Sequence, residues 1–399
     1  MISSPASALG PVYFCFADPA GFSGQKAATE LVMKGLGARG WVCRRLPQPV
    51  LDRTGGRGLA TLFYLFDLCG AWIRCIGLLA ARGSWLCVNL GQTRSSFLRD
   101  AIPLWLGRAG LGRGRVIVSL HGSLFMHWQL DSFDARALRL LLDHGGRITV
   151  LGEQQRRRLV SLGIAESRVQ VVVNSCDLEP IAAREAAAKF QPTGDTPVRC
   201  LHLSSLIDSK GFPEYLEALR QLAAWPGPRV EAVLCGRVVI NEFSDRFPDV
   251  AAAEAWIDQQ VAVINRSARV HVHWVKGATG KPKADLFRAA DVFVLPTRYA
   301  VEAQPLVLLE AMASGCAIIT TKIGEIPTIL DEKSAVLLDK PGVDDLAKAL
   351  QALVASAADR ARLARAAHDR FLHCYQLEKH VDVWERLLDR SGPVTKGAA

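Results

Sequence analysis

Two glutamates, Glu302 and Glu310, lie eight residues apart around a predicted helix start. The apolar run Val292–Leu295 is typical of a buried parallel strand, and Pro305 and Gly315 suit the first residue of a helix and the residue just past its end. A helix N-terminus offers N–H groups to an anion, and carboxylates accept hydrogen bonds from hydroxyls. The pattern therefore suits a nucleotide-sugar. On spacing alone, an equally favoured interpretation is that Glu302 is a solvated loop charge and that Glu310 only supports the helix surface.

The elements around these glutamates form a strand–loop–helix–strand unit that ends in a second predicted strand, Ala317–Thr321. Its loop and helix N-terminus face the carboxyl edge of a sheet, where α/β folds bind ligands. The E-x7-E pair, the helix PLVLLEAMASG and the following GEIP resemble the donor-binding signature of the family 4 retaining glycosyltransferases (glycosyl transferases group 1). The resemblance implies an α/β chain of GT-B fold, with two doubly wound Rossmann-like domains facing across a deep cleft.

Strands and helices alternate twice along the chain, with an Ala-, Glu- and Lys-rich linker between the two series. Together with the resemblance, this predicts an N-terminal acceptor-binding domain at residues 1–185, a linker at 186–197 and a C-terminal nucleotide-sugar-binding domain at 198–372. In the family fold, the last helix, here 373–390, crosses back to the N-terminal domain. Residues 391–399 are expected to be a frayed tail.

The resemblance also implies roles for residues at strand ends and in loops. His121 follows a predicted strand and would hydrogen-bond the transferred sugar, whereas Lys210 would hold the diphosphate of the donor. Taken singly, His121 is more often a structural residue and Lys210 a solvated turn lysine. The predicted catalytic residues are His121, Glu302 and Lys210. The predicted donor-binding residues are Gly21, Gly24, Ser205, Lys210, Gly236, Gly277, Glu302, Ala303, Gln304, Pro305, Leu306 and Glu310.

One position departs from the family pattern. Many members have Gly-Arg where Ser204 and Ser205 stand, and there the arginine helps to grip the diphosphate. Either Ser205 contributes a weaker hydrogen bond, or another cation such as Arg298 substitutes. Residues 35–40 spell G-x-G-x-x-G, but they follow a predicted helix and precede a strand, which indicates a helix C-terminus and not a dinucleotide site.

The cysteine pattern and the first residues of the sequence predict the cellular compartment of the protein. The ten cysteines include no C-x-x-C pair and no His companion at zinc spacing, which favours free thiols in a reducing compartment and no metal site. No cationic start precedes an apolar stretch, so we expect no signal peptide and a cytoplasmic location, extending to the inner face of the cytoplasmic membrane. Residues 59–80 are interrupted by Asp67 and Arg74, which predicts a buried or surface-docked helix and not a membrane span.

Charge is uneven along the chain. Residues 1–185 hold 22 Lys+Arg and 13 Asp+Glu, and the remainder holds 26 of each, so the net charge of +9 lies in the first part. Arginines there, among them Arg99, accompany Phe97 and Trp105. This favours peripheral contact with an anionic membrane, or an anionic acceptor such as a lipid diphosphate, over ordinary solvated arginines. No stacking motif or helix-turn-helix signature indicates nucleic acid.

The function implied by the resemblance is retaining transfer of a sugar from a UDP- or GDP-sugar onto a glycan or lipid-linked acceptor, in cell-envelope or exopolysaccharide biosynthesis. The nucleotide-sugar is a substrate, so no cofactor is expected. No Asp-x-Asp occurs, and we predict metal-independent transfer. The alternatives are a non-catalytic nucleotide-sugar-binding protein, a nucleotide-sugar 2-epimerase and a phosphorylase-like enzyme on a related fold.

Overall fold

The structure is a computed structural model, and it describes residues 10–18, 23–50, 57–182, 185, 189–190, 196–340 and 342–389. The chain forms two compact units. Unit 1 comprises residues 1–175 and 377–399, and unit 2 comprises residues 176–376. Each unit is built on its own six-stranded parallel sheet, with helices on the connections between strands.

The sheet of unit 1 has the strand order β2-β1-β3-β4-β5-β6. Its strands are β1 (Val12–Ala17), β2 (Cys43–Gln48), β3 (Trp85–Asn89), β4 (Val116–Leu120), β5 (Arg147–Val150) and β6 (Val169–Val171). Its first helices are α1 (Gly24–Ala38), α2 (Arg57–Cys75), α3 (Arg94–Leu111), α4 (Phe133–Leu142) and α5 (Glu153–Ser161). β3 and β4 are buried along their whole length, as expected for central strands covered on both faces.

Two cores cover the two faces of this sheet. On one face, helices α2 to α5 contribute Cys75, Leu104, Leu138 and Leu159 to a single apolar cluster with the strands. The opposite face is covered by α1 and by the last helix of the chain. The helices α2, α3, α4 and α5 therefore form one layer, whose outer side faces away from the sheet.

Unit 2 repeats the plan with the strand order β12-β11-β10-β7-β8-β9. Its strands are β7 (Val198–Leu203), β8 (Val230–Cys235), β9 (Val270–Val275), β10 (Val292–Leu295), β11 (Ala317–Thr321) and β12 (Val336–Leu338). Its helices are α6 (Phe212–Ala224), α7 (Val250–Ile264), α8 (Gly280–Ala289), α9 (Leu306–Ala313), α10 (Ile326–Ile329), α11 (Val343–Ala355) and α12 (Ala357–Cys374).

The last helix, α13 (Leu377–Asp389), belongs to unit 1. Arg39 at the end of α1 lies 2.5 Å from Asp382 and 2.6 Å from Glu385, and Trp384 is buried in the core of that face. Gly40 has φ 90°, so the G-x-G-x-x-G run does end a helix, as predicted. The predicted tail, residues 391–399, lies outside the described residues.

The boundary between the units differs from the predicted one. Unit 2 begins at residue 176, not after residue 185, because the segment that follows packs against α9. The Ile181 N–H donates to the Ala313 carbonyl at 3.1 Å, and Lys189 Nζ donates to the Ser314 carbonyl at 2.8 Å. The Ala-, Glu- and Lys-rich composition of this segment resembled a linker, but its polar groups tie it to unit 2.

Candidate functional site

Glu302 lies in the loop between β10 and α9 and is 7% exposed. Its carboxylate is 3.1 Å from Lys210 Nζ, which follows β7. The same ammonium lies 4.9 Å from the centroid of the Tyr299 ring, at a distance typical of a cation–π contact. Glu302 is therefore the buried carboxylate of an ion pair whose lysine is half-buried, and its interpretation as a solvated loop charge is wrong.

Glu310 lies inside α9, is 3% exposed and forms an ion pair with Lys283 of α8. Burial raises the pKa of the Glu310 carboxyl from 4.5 to about 7, and this loss of hydration outweighs the lowering effect of the Lys283 ammonium. Glu310 Oε2 is buried and accepts no hydrogen bond from the residues that the structure describes. A helix-surface role for Glu310 is therefore wrong as well.

Lys283 was missed by the sequence analysis, although topology offered a signal. The parallel strands β7, β9 and β10 all end at the same edge of their sheet, and Lys283 lies in the first turns of the helix that follows β9. Lys210 follows β7, and Glu302 follows β10. The carboxyl edge of unit 2 thus carries two cations and two carboxylates, paired with each other.

Two glycines allow close contacts between backbone segments beside Glu302 and Lys210. Gly324, in the GEIP stretch, has φ 55°, and a Cβ built there lies 2.2 Å from the Glu302 carbonyl oxygen. The next residue, Glu325, donates its N–H to the Ala303 carbonyl at 3.0 Å. Gly211 follows Lys210 with φ 89°, and a Cβ there lies 2.3 Å from the Pro296 carbonyl oxygen. Only glycine fits these two contacts, and neither residue was among the predicted site residues.

The remaining predicted residues around α9 lie next to Glu302. Ala303 and Gln304 are buried, and Pro305 is the N-cap residue, so the helix begins at Leu306, one residue later than predicted. The Leu308 N–H donates to the Pro305 carbonyl at 3.1 Å. Gly315 has φ 61° and follows the C-cap residue, as expected for a glycine helix end.

Gly236 and Gly277 follow β8 and β9 at the same edge. At Gly236 an added Cβ would lie 2.0 Å from the Ser204 carbonyl oxygen, so the protein's own backbone already requires this glycine. Gly277 has φ 100°, with the Arg237 side chain 3.7 Å from an added Cβ. Arg237 is exposed and was not predicted as a site residue.

The position of the expected diphosphate arginine contains no cation in this structure. Ser205 is half-buried, and its carbonyl accepts a hydrogen bond from the Ile207 N–H at 2.8 Å. Arg298, the predicted substitute, has its guanidinium 3.1 Å from Asp245 and 3.5 Å from Glu214. Lys210 and Lys283 are accordingly the cations paired with the two glutamates of the signature.

In unit 1, His121 follows β4 and lines a cavity of about 10 Å³. Burial, and to a smaller extent the neighbouring His380, lower the pKa of His121 to about 4. The imidazole is therefore neutral near pH 7, able to donate one hydrogen bond and accept another. The polar residues that line the cavity with the two histidines are Thr29, Asn89, Thr149 and Asn174.

The first loop is described only in part. Gly21 lies outside the described residues. Gly24 is the first residue of α1, and the Ser23 side chain caps this helix by accepting a hydrogen bond from the Lys26 N–H. No heavy atom lies within 4 Å of a Cβ built at Gly24.

The sequence matches known proteins in part of its length. Residues 183–370 match the family model described as Glycosyl transferases group 1. The D-inositol 3-phosphate glycosyltransferase of Kribbella flavida is 28% identical over 234 residues, which cover 57% of this chain and 52% of that protein. The chain thus spans about half the length of such curated relatives.

Solved structures match nearly the whole chain. Anabaena HepE in complex with UDP and glucose superposes with a TM-score of 0.66 at 15% identity, covering 94% of this chain and 99% of that one. Sucrose-phosphate synthase from Thermosynechococcus elongatus superposes with a TM-score of 0.68 at 17% identity, covering 94% and 98%. At these identities the likeness shows the fold, and the fold is GT-B, as predicted.

Proposed function

Because residues 183–370 match the family model described as Glycosyl transferases group 1, we propose that the chain transfers a sugar from a UDP-sugar to an acceptor hydroxyl with retention of the anomeric configuration. UDP is chosen over GDP because HepE was solved with UDP. The observation that carries the proposal is that two buried glutamates each pair with a half-buried lysine, Glu302 with Lys210 and Glu310 with Lys283.

Such pairs suit a ligand that carries both negative charge and hydroxyl groups. Without ligand, each ammonium compensates a carboxylate that burial would otherwise leave uncompensated. A nucleotide-sugar offers its diphosphate to a lysine and its hydroxyls to the glutamates, so it replaces the contacts within each pair by new ones. In this proposal Lys210 binds the diphosphate, while Glu302 and Glu310 accept hydrogen bonds from hydroxyls of the donor.

The reaction requires little more from these side chains. Cleavage of the anomeric C–O bond leaves negative charge on the departing diphosphate, and a fixed ammonium such as Lys210 stabilises that charge where it develops. The departing phosphate accepts the proton of the attacking hydroxyl on the same face of the sugar. No metal and no cofactor take part in the proposed transfer. His121 keeps its predicted role, a hydrogen bond to the transferred sugar.

The acceptor is proposed from charge. The excess of positive charge in residues 1–185 favours an anionic or lipid-linked glycan acceptor and contact with an anionic membrane. Cell-envelope or exopolysaccharide biosynthesis at the inner face of the cytoplasmic membrane is the setting that would provide both. Flotation with anionic liposomes at low and high salt tests this part, and absence of binding at both would contradict it.

The central experiment measures donor use. The purified chain is incubated with UDP-, GDP- and ADP-sugars, with and without EDTA, and nucleotide release and binding are followed. We expect one UDP-sugar to bind and turn over equally well in EDTA. Once an acceptor is found, NMR of the product should show the anomeric configuration of the donor.

A matched pair of variants assigns the site. Glu302→Gln removes the buried carboxylate charge, whereas Glu332→Gln removes an exposed glutamate that pairs with Lys322. We expect donor binding to be lost in the first variant and unchanged in the second. If the wild-type chain binds a donor but neither hydrolyses nor transfers it, the non-catalytic alternative replaces the proposal.

A further inference from the structure

Helix α2 of unit 1 is apolar on two opposite sides. Its inner stripe, Leu68, Ala71 and Cys75, repeats at helical spacing and is buried. Cys75 belongs to the core on that face of the sheet. An amphipathic helix of a globular protein would carry polar residues on the side opposite such a stripe. In α2 that side is apolar as well.

The outer stripe contains Leu62, Phe66 and Ile73 of α2, which are 65%, 78% and 66% exposed, and is continued by Ile76, 53% exposed, in the 3₁₀ turn that follows the helix. The spacing of four and seven residues keeps the first three on one side of α2. The segment Thr61–Ala80 is long and apolar enough to cross a membrane by length and composition, and 22% of it is buried inside the protein. So large an exposed apolar stripe is typical of an interaction site.

The two helices that follow extend this surface. On α3, Leu98 and Trp105 are 62% and 58% exposed; on α4, Phe133 and Leu140 are 59% and 69% exposed. Each pair is separated by two helical turns and so lies on one side of its helix. Since α2, α3 and α4 form one layer on the sheet, these residues share its outer side. We call this surface, with the outer stripe of α2, the apolar outer face.

Unit 2 has no comparable surface among its described residues. The large apolar side chains exposed there are three separate valines, Val239, Val250 and Val263, each 38–43% exposed. Single exposed valines are ordinary on protein surfaces. The apolar outer face is therefore a property of unit 1 and needs an explanation in that unit.

Charge near the apolar outer face indicates the nature of its partner. Residues 57–143 contain ten arginines and five aspartates, and neither lysine nor glutamate; Arg99 and Asp100 among them are buried and paired with each other, which leaves nine arginines and four aspartates. Arg94 lies 5.2 Å from the ring centroid of Phe133, and Arg108 is exposed three residues after Trp105. Apolar residues bordered by arginines suit a partner with an apolar interior and an anionic surface.

We propose that the apolar outer face inserts into the surface of an anionic lipid bilayer, with α2 lying in the plane of the interface. The inner stripe of α2 stays packed on the sheet, which a membrane-spanning helix could not do. A second copy of the chain would bring two arginine-rich surfaces together, and their repulsion opposes a dimer. The proposed function supplies the use of such contact, delivery of a lipid-linked acceptor; lipid binding itself does not depend on it.

This mode of binding is more specific than attraction of a basic surface. Charge attraction alone is screened at high salt, because the Debye length falls from about 10 Å at 0.1 M to about 3 Å at 1 M. Insertion buries apolar side chains, and salt does not weaken that contribution. We therefore expect binding that weakens at high salt but persists.

The test uses the full chain and large vesicles of phosphatidylcholine, with or without an equal amount of phosphatidylglycerol, at 0.1 and 1 M NaCl. The variant Leu62→Ser/Phe66→Ser/Ile73→Ser replaces the three residues of the outer stripe that lie on α2, and Val239→Ser/Val250→Ser/Val263→Ser is the matched control in unit 2. We expect the first to lower partition to anionic vesicles about 100-fold and the control to leave it unchanged. Thermal unfolding checks that both variants fold.

Three results would overturn the inference: no vesicle binding by the wild type, equal binding by both variants, or vesicle binding that resists extraction by alkaline carbonate, as a spanning helix would. Light scattering tests whether a second copy of the chain covers the apolar outer face instead. A dimer that the outer-stripe variant abolishes would assign the face to that second copy. UDP binding is measured on the same samples. If the wild-type chain binds vesicles but does not bind UDP, the proposed function is refuted and this inference stands.

Discussion

Each of the two units contains a six-stranded parallel sheet. The two sheets differ in the side chains found at the carboxyl ends of their strands. In unit 1 an ion pair, Lys26 with Asp18, lies at the end of β1, but the groups at the end of β4 are neutral: His121 and His380 both have a pKa lowered to about 4 by burial. In unit 2 the groups at the strand ends are ion pairs, among them Lys210 with Glu302. Topology therefore determines where side chains meet, and the residue types at the strand ends determine whether that place suits a charged ligand or a neutral one.

The outer sides of the helix layers differ as well. Unit 1 exposes large apolar residues such as Phe66 on α2 and Trp105 on α3, whereas the exposed apolar residues of unit 2 are isolated valines. We propose from this comparison that unit 2 recognises a charged ligand and that unit 1 contacts lipid. The following predictions test that division, beginning with the largest expected effect.

Substitution of Lys210 should have the largest effect on the proposed reaction. Lys210→Ala removes the ammonium that would stabilise the departing diphosphate, and we expect turnover to fall about 10²–10³-fold, as for loss of one fixed donor to a developing negative charge. Steady-state kinetics, with the UDP-sugar that the donor experiment selects, measures the fall in turnover.

The control for this variant is Lys281→Ala. Lys281 lies on α8, is paired with Asp285, and its side chain is 85% exposed. It should turn over the donor at the wild-type rate. If both variants lost activity equally, general loss of positive charge would explain the result and the specific role of Lys210 would be refuted.

Substitution of His121 should separate unit 1 from nucleotide binding. Loss of one hydrogen bond to the transferred sugar, worth ~1.5 kcal/mol, predicts a roughly tenfold fall in turnover for His121→Ala. UDP affinity should not change, because the proposed nucleotide contacts all come from unit 2. Isothermal titration with UDP and steady-state kinetics measure the two quantities, and a matching loss of UDP affinity would contradict the division.

Most of the fold was predictable because the strands are short apolar runs between turn residues. Val292–Leu295 and Ala317–Thr321 have the predicted limits. Strand β12 was missed: its three residues, Val336–Leu338, are all half-buried at the edge of the sheet, so their pattern carries little signal. The boundary near residue 176 was missed because backbone contacts, and not composition, attach that segment to unit 2.

The site was predictable to the extent that it lies in one stretch of sequence. Glu302 and Glu310 are close in sequence and have a recognisable spacing, whereas Lys283 is 27 residues from Glu310 in sequence and meets it only in the folded chain. The charge pattern was also misleading in one place. Arg99 and Phe97, predicted on a basic surface, are buried, with the Arg99 guanidinium 2.6 Å from Asp100.

Gly324→Ala tests a contact that sequence spacing could not reveal. The added methyl group would lie 2.2 Å from the Glu302 carbonyl oxygen, and the residue would keep φ 55°. We expect a loss of about 1–3 kcal/mol in the free energy of unfolding, with weaker donor binding because the Glu302 loop shifts. Gly37→Ala in α1, where no heavy atom lies within 4 Å of an added Cβ, is the control. Urea unfolding measures the free energy of unfolding of both variants, and we expect its dependence on urea concentration to be the same in the two. Equal stability of the two variants would contradict the prediction.

The last predicted effect, no larger than that of His121→Ala, is a pH dependence that unit 2 should show and unit 1 should not. Burial raises the pKa of Glu310 from 4.5 to about 7. A raised pKa in the folded state means that the contribution of Glu310 to stability is fully present below 4.5 and is lost as the pH rises through 7. Donor affinity should change in the opposite direction, because the deprotonated carboxylate is the better acceptor for donor hydroxyls.

We therefore expect UDP-sugar affinity to rise about tenfold between pH 6 and pH 8, with a midpoint near 7, if only the carboxylate form binds. Both phosphates of a UDP-sugar are esterified and do not titrate in this range, which leaves the protein as the source of the change. Glu310→Gln should remove the dependence. Lys283→Met should move the midpoint upward, since the ammonium that lowers the pKa of Glu310 is gone. His121 has a pKa of about 4 and is neutral throughout, so His121→Ala should keep the wild-type profile; a flat profile in that variant would place the titrating group in unit 1.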